Sequence, residues 1–303
     1  MFTSPQYFVA DVFTTLPEDL RVRERSQWAD VQKHGAELGS FLEGPVADAF
    51  GALYVTDIPY GRIFRVTVDG TFELVARYDG EPNGLAMHPD GQLFIADHKH
   101  GILALRPETG EFVTVIDRVR LERFRGVNDL TFDSKGNLWF TDQGQSGLQE
   151  PNGRVYRLSP DGDLSLFLAN IPSPNGLVLD LEERHLLLAV TRANQIWRAP
   201  ILQDGETSKV GAFINLSGGF GPDGMALDAE GGFVSCQPGL GRVYWFDRDG
   251  DLRGVVQSST GRVVTNCCFG GNDGKTLFIT EADTGNILSC TLPVAGHMLY
   301  HQR

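Results

Sequence analysis

Six times along this chain a glycine turn leads into a short apolar strand that stops at a small polar or acidic residue. The copies read GALYVTD (51–57), GQLFIAD (91–97), GNLWFTD (136–142), RHLLLAVT (184–191), GGFVSC (231–236) and GKTLFITE (274–281). A second strand follows each, as in GRIFRV (61–66), GRVYRL (153–158) and GRVYWF (241–246), and most of these lead to turns such as Val68-Asp69-Gly70 or Arg248-Asp249-Gly250. A third strand precedes each copy: LEGPVAD (42–48), PNGLAMH (82–88), VNDLTFD (127–133), PNGLVLD (174–180), PDGMALD (222–228) and TNCCFGG (265–271). Strands punctuated by Asp-Gly and Asn-Gly are hairpin signals. A period of 40–50 residues with about four strands per unit predicts an all-β fold, a six-bladed β-propeller with a central channel. Residues 41–303 would form the propeller, and residues 1–40 an N-terminal extension packing on it or closing it. The doubly wound α/β alternative needs helical periodicity between strands. Only residues 26–38, SQWADVQKHGAEL, read as a helix.

The third strand carries the functional signal. Its polar position holds Glu43, Asn83, Asn128, Asn175, Asp223 and Asn266, at successive separations of 40, 45, 47, 48 and 43 residues. If this strand lines the channel in every blade, the six side chains converge at one end of the axis. All six offer oxygen, and none offers sulfur or imidazole. Two carboxylates and four amides suit a hard divalent cation, calcium above all, although another divalent ion is compatible. Without a cation, Glu43 and Asp223 would repel, and one would stay protonated. The plainer reading of each position is a turn dipeptide, since Asn, Asp and Gly tolerate positive φ.

With 39 acidic against 26 basic residues, the net charge of -13 argues against nucleic acid and anionic membrane as partners. Cys236, Cys267, Cys268 and Cys290 make no CxxC pair, so a zinc site or disulfide framework is not expected and a cytoplasmic location is. The start, MFTSPQYFVADVFTTLPEDL, lacks the pattern of a signal peptide, and no apolar run has the length of a membrane span.

The set LEGP, VNDLTFD, PNGLVLD and PDGMALD resembles the senescence-marker-protein, gluconolactonase and luciferin-regenerating-enzyme family, to which diisopropyl fluorophosphatase is related. The resemblance runs from about Leu42 to the C-terminus. It implies a six-bladed propeller with calcium in its channel, held by Glu43, Asn128, Asn175 and Asp223. It also implies a small-molecule substrate, a lactone or, in the phosphatase branch, a phosphofluoridate. The residue matching Asp223 is the family's candidate base or nucleophile; in this chain Asp129, next to an expected ligand, is a second candidate base. The alternative for Asp129 is an outward residue bonding a turn. Asn83, Asn128, Asn266 and Glu281 are the expected substrate-side residues. Where the sugar-lactonase members carry an arginine, this chain has Gly126, which argues against a gluconate-type lactone. Glu281 takes the place of a phosphatase-branch histidine.

The expected reaction is metal-assisted attack of water on a lactone carbonyl, with a carboxylate accepting the proton. The rivals are a calcium-stabilised scaffold without turnover and a phosphotriesterase using the same site. His98-Lys99-His100 reads as a solvated loop unless that loop lies at the channel mouth. Phe124, Trp139, Phe220 and Cys236 read as core.

Overall fold

A computed structural model of the chain describes residues 4–303. The first three residues of the expected extension lie outside the described residues. The fold is all-β and propeller-like. Four antiparallel four-stranded sheets follow one another in sequence. The first comprises Leu42–Ala47, Leu53–Asp57, Arg62–Val66 and Phe72–Arg77. The second begins at Pro82–Met87, the third at Val127–Phe132 and the fourth at Pro174–Leu179. Arg118–Val119 and Glu122–Arg123 make a short two-stranded hairpin, and eight further strands form one sheet, in which the meander Met225–Leu227, Phe233–Gln237, Arg242–Phe246, Leu252–Ser258 is joined to Asn286–Thr291, Thr276–Glu281, Val264–Gly270 through Gln6–Thr15. That N-terminal strand runs parallel to Leu252–Ser258 and antiparallel to Asn286–Thr291, so it covers two edges at once.

Burial falls from the first strand of each sheet to the last. Leu42–Ala47 and Pro174–Leu179 are buried at every residue, whereas Glu111–Ile116 has no buried residue. The first strands neighbour one another in sequence order, and the last, Val264–Gly270, lies beside Leu42–Ala47. They therefore form a closed ring around the axis. Apolar clusters fill the wedges between adjacent sheets. Val46, Tyr54 and Ile63 meet Leu85, Ile95 and Leu103, and Trp139 and Val155 meet Leu177, Leu186 and Leu188. Neither face of such a sheet can be left in water, which explains the near-continuous apolar runs in the sequence.

The aspartates that close the first strands stabilise turns at the far end. Asp133 Oδ1 accepts from the backbone of Lys135 and Asn137 while its Oδ2 accepts from the Trp139 indole. Asp228 repeats this with Glu230, Gly232 and Trp245. The helix is shorter than expected, spanning Gln27–Gln32 behind a Ser26 cap that accepts from Ala29 N. His34 and Gly35 then adopt left-handed φ values of 55° and 77°, which ends it. Among the described residues no helix is long and apolar enough to cross a membrane.

Candidate metal and substrate site

The polar positions of the first strands are not turns. In the first, second, third, fourth and last of these strands the pairing register slips where the polar residue sits, between Glu43 and Val46, Pro82 and Leu85, Val127 and Leu130, Pro174 and Leu177, and Val264 and Cys267. Such a bulge re-aims a side chain and is frequent beside functional sites. The glycine after the polar residue has a steric cause. A Cβ on Gly176 would stand 2.5 Å from the Asp223 carbonyl oxygen. On Gly44, Gly84 and Gly224 it would run into Asn83, Asp129 and Asn266 respectively. The strands crowd at the axis, and only glycine lets them approach so closely.

Glu43, Asn83, Asn128, Asp129, Asn175 and Asn266 are all buried, and Asp223 is half-buried. Burial pushes the Glu43 carboxyl well above the usual range, and Asp223 and Asp129 push it further. Asp223 is raised to about 7 by burial, then by the charge of Asp129, against the pull of Lys33, Asn175 and Arg192. Asp129 is raised to about 7 by burial alone. It points inward: its Oδ2 accepts from Asn266 Nδ2 at 3.3 Å, and its own amide N–H donates to the Thr141 hydroxyl oxygen at 3.0 Å. Asn266 Oδ1 is spent on Cys267 N at 2.8 Å. Asn83 holds the first sheet through its carbonyl oxygen, which accepts from the Thr56 hydroxyl.

Asn128 donates through Nδ2 to Gln143 Oε1 at 3.3 Å, which leaves Oδ1 as its free acceptor. That oxygen is buried without a hydrogen-bond partner. An orphaned buried acceptor is rare and costly. Glu43 and Asp223, on inner strands of the same ring, raise each other's cost of ionisation, with Lys33 and Arg192 as the cations acting on Asp223. The donors present fit a hard divalent cation: Glu43, Asn128, Asn175 and Asp223 would hold it. No group of three or more His, Cys, Asp and Glu side chains is gathered as a metal site among the described residues. The ring instead mixes acids with amides.

Glu281 corrects the expectation that it meets substrate. Both of its oxygens are engaged in its own loop, accepting from Asp283 N, Thr284 N and the Thr284 hydroxyl. Asp57, Asp97 and Asp142 do the same at the matching strand ends, each accepting from backbone amides of the adjoining segment. The acidic stop of the repeat is a loop fastener. Cys236 and Cys267 belong to one apolar cluster. Trp139 is core, while Phe220 is 55% exposed on the loop leading into Asp223.

Three residues near the site lie outside the repeat. Lys99 and His100 turn outward to Asp79, as a solvated loop would, but His98 turns in. A Cβ on Gly126 would stand 3.0 Å from His98 Cδ2, and His98 Nδ1 is buried without a partner. The imidazole therefore occupies the space an arginine at 126 would need. Lys33 and Arg192 are the others: both act on the charge of Asp223. Behind the ring a cavity of about 680 Å³ extends from Asp129 and Asn266, past Leu130 and Leu179, to the C-terminal residues His297 and Tyr300. Those residues cross the far end, with His297 N bonded to Leu227 O and the His301 ring to Ala47 O.

Comparison with known proteins agrees with this geometry. The family described as SMP-30/Gluconolactonase/LRE-like region matches residues 41–283. A gluconolactonase of Zymomonas mobilis is 34% identical over 66% of this chain, and the chain spans 60% of that enzyme's length. The lactonase drp35 of Staphylococcus aureus is 31% identical over 77% of this chain and 73% of its own. The solved structure of regucalcin, a calcium-binding protein from Agrobacterium tumefaciens, superposes with a TM-score of 0.79. It covers 99% of both chains at 20% identity, a likeness of fold.

Proposed function

The chain belongs to the SMP-30/gluconolactonase/LRE-like family, and we propose that it is a calcium-dependent lactonase working at one end of a six-bladed propeller. The blade count takes the eight-stranded sheet as two four-stranded blades, with Gln6–Thr15 as the outer strand of the last. The relatives named as gluconolactonase and lactonase support the substrate class. The observation that carries the reading is the raised carboxyls of Glu43 and Asp223 on the same ring of inner strands as the orphaned Asn128 Oδ1.

Glu43, Asn128, Asn175 and Asp223 hold the ion. When bound, calcium supplies the positive charge that polarises a lactone carbonyl. Asp129 accepts the proton of the attacking water. It lies outside the ligand set, and burial holds its carboxyl above the usual carboxylate range, which makes it a better proton acceptor than a carboxylate held on the ion. Asn266 orients it through the amide hydrogen bond. Asp223, the other candidate base, serves as ligand, because a carboxylate held on a cation is a poor proton acceptor. Asn83 lines the mouth. The four buried free thiols accord with a reducing cytoplasm.

A panel of γ- and δ-lactones followed with a pH indicator tests this, since each ring opening releases a proton. Turnover should vanish in EDTA and return with calcium. Absence of turnover across the panel, with calcium still raising the melting temperature, would identify a scaffold instead.

A further inference from the structure

Residues 26–39 lie across the open end of the ring. Trp28 and Ala29 pack with Phe41, Ile58 and Ala282, and Leu38 and Val263 join them. Phe41 and Val263 immediately precede the first and last inner strands, so this segment roofs the site beside Glu43 and Asn266. The helix stops at Lys33, whose ammonium is set 4.3 Å from the Phe41 ring centroid and 5.8 Å from that of Trp28. There it forms no ion pair or hydrogen bond among the described residues. Burial pulls its pKa down, while Asp223, Asp283 and Glu43 pull it up.

Arg192 lies on the 3-10 turn Thr191–Ala193. Thr191 N bonds to Ser173 O, Arg192 N to Pro172 O, and the Thr191 hydroxyl to Pro222 O at 2.8 Å. The turn is thereby fastened between the segments that enter Asn175 and Asp223. Lys33 and the exposed Arg192, on independently anchored elements, thus both lie within electrostatic reach of Asp223.

Neither cation serves a neutral polyol. A divalent ion on Glu43 and Asp223 takes over the charge that Lys33 and Arg192 otherwise offset. Asp283 is then the remaining carboxylate acting on Lys33, and one of its oxygens is engaged by Arg262 N at 2.9 Å. A half-buried ammonium without a partner favours an incoming anion. On the opposite rim, the His98 ring fills the space where the resemblance places a sugar-binding arginine.

We propose that this site is built for lactones carrying an anionic substituent, a carboxylate above all, received between Lys33 and Arg192 at the mouth. The proposal rests on the lactonase reading for the ring, but its anion site is separately testable. The probe is 3-oxocyclopentane-1-carboxylate, a ketone that cannot be hydrolysed, against its methyl ester. Binding to the calcium-loaded protein is measured by titration calorimetry. The anion should bind at least about tenfold more tightly than the ester, the effect of one well-placed charge pair. Raising the salt should narrow the gap. Lys33→Met keeps the apolar stem on Phe41 and should cut the preference about fivefold, as should Arg192→Met. The double variant should bring the ratio near one. Equal binding of anion and ester by the unmodified protein, no binding of the anion, or a preference that survives in the double variant would overturn the proposal. If the ketone shows the preference while a carboxylated γ-lactone is not hydrolysed, the lactonase reading fails and the anion site stands.

Discussion

At the residue scale, Asp129 and Asp223 behave unlike surface acids. Burial lifts both from 3.8 to about 7 in the folded chain. Folding therefore favours their neutral forms. Metal-free stability is full below the unfolded pKa and is lost as the pH rises from about 4 through 7. The melting temperature of the EDTA-treated protein should fall between pH 5 and pH 8, and less so in Asp129→Asn. That comparison isolates the acid from His98, His297 and His301, whose lowered pKa values act in the opposite sense. Calcium should raise the melting temperature more at pH 8 than at pH 5, because it binds the ionised acids. A pH-independent calcium increment in calorimetric scans would contradict this. The two aspartates should also separate kinetically. Asp129→Asn should lower kcat by about 10²–10⁴ with calcium affinity within tenfold of the parent, whereas Asp223→Asn should weaken calcium binding itself. The polar ring was readable in the sequence because each member recurs at one place in a repeat. His98, Lys33 and Arg192 recur nowhere; each reaches the site by the path of a loop or helix end, which a repeat does not encode.

At the element scale, the glycine following four of the six polar residues, Gly44, Gly84, Gly176 and Gly224, reads as a turn signal in the sequence and is instead a consequence of crowding at the axis. Gly176→Ala would press a methyl group onto the Asp223 carbonyl. It should cost about 1–3 kcal/mol, as overpacking does, and lower calcium affinity by shifting Asp223. Thermal melts and calcium titration of the same variant check both effects; an unchanged melting temperature would show that the strands can spread. The strand repeat was legible because inner, middle and outer strands differ in burial, and burial writes itself into apolar runs. The register slips were not legible, since a bulge adds one unpaired residue without a compositional mark. Glu281 misled for a related reason: its carboxylate fastens a loop, a role that leaves the same acidic letter at a strand end as a ligand would. The helix over residues 26–38 was read too long because its apolar spacing continues past the left-handed residues His34 and Gly35.

At the scale of the whole molecule, the N-terminal strand holds the ring shut. Gln6–Thr15 pairs on both sides, and Leu16 N bonds to Gly285 O at 2.8 Å. Removing residues 1–16 would expose two sheet edges and unseat the segment carrying Lys33. Such a truncation should run as soluble aggregates in size-exclusion chromatography and lose its sharp calorimetric transition; a monodisperse species with the parent's melting temperature would contradict this role. Closure matters for the site because Glu43 and Asn266 come from the first and last inner strands, which touch only if the circle is complete. The central claim is that side chains from across this circle grip one hard ion. It is tested most directly by calorimetric titration of calcium into EDTA-treated, dialysed protein. The account predicts one site per chain, abolished in the Glu43→Gln, Asp223→Asn double variant. Absence of binding by the unmodified protein, or binding undiminished in the double variant, would contradict it.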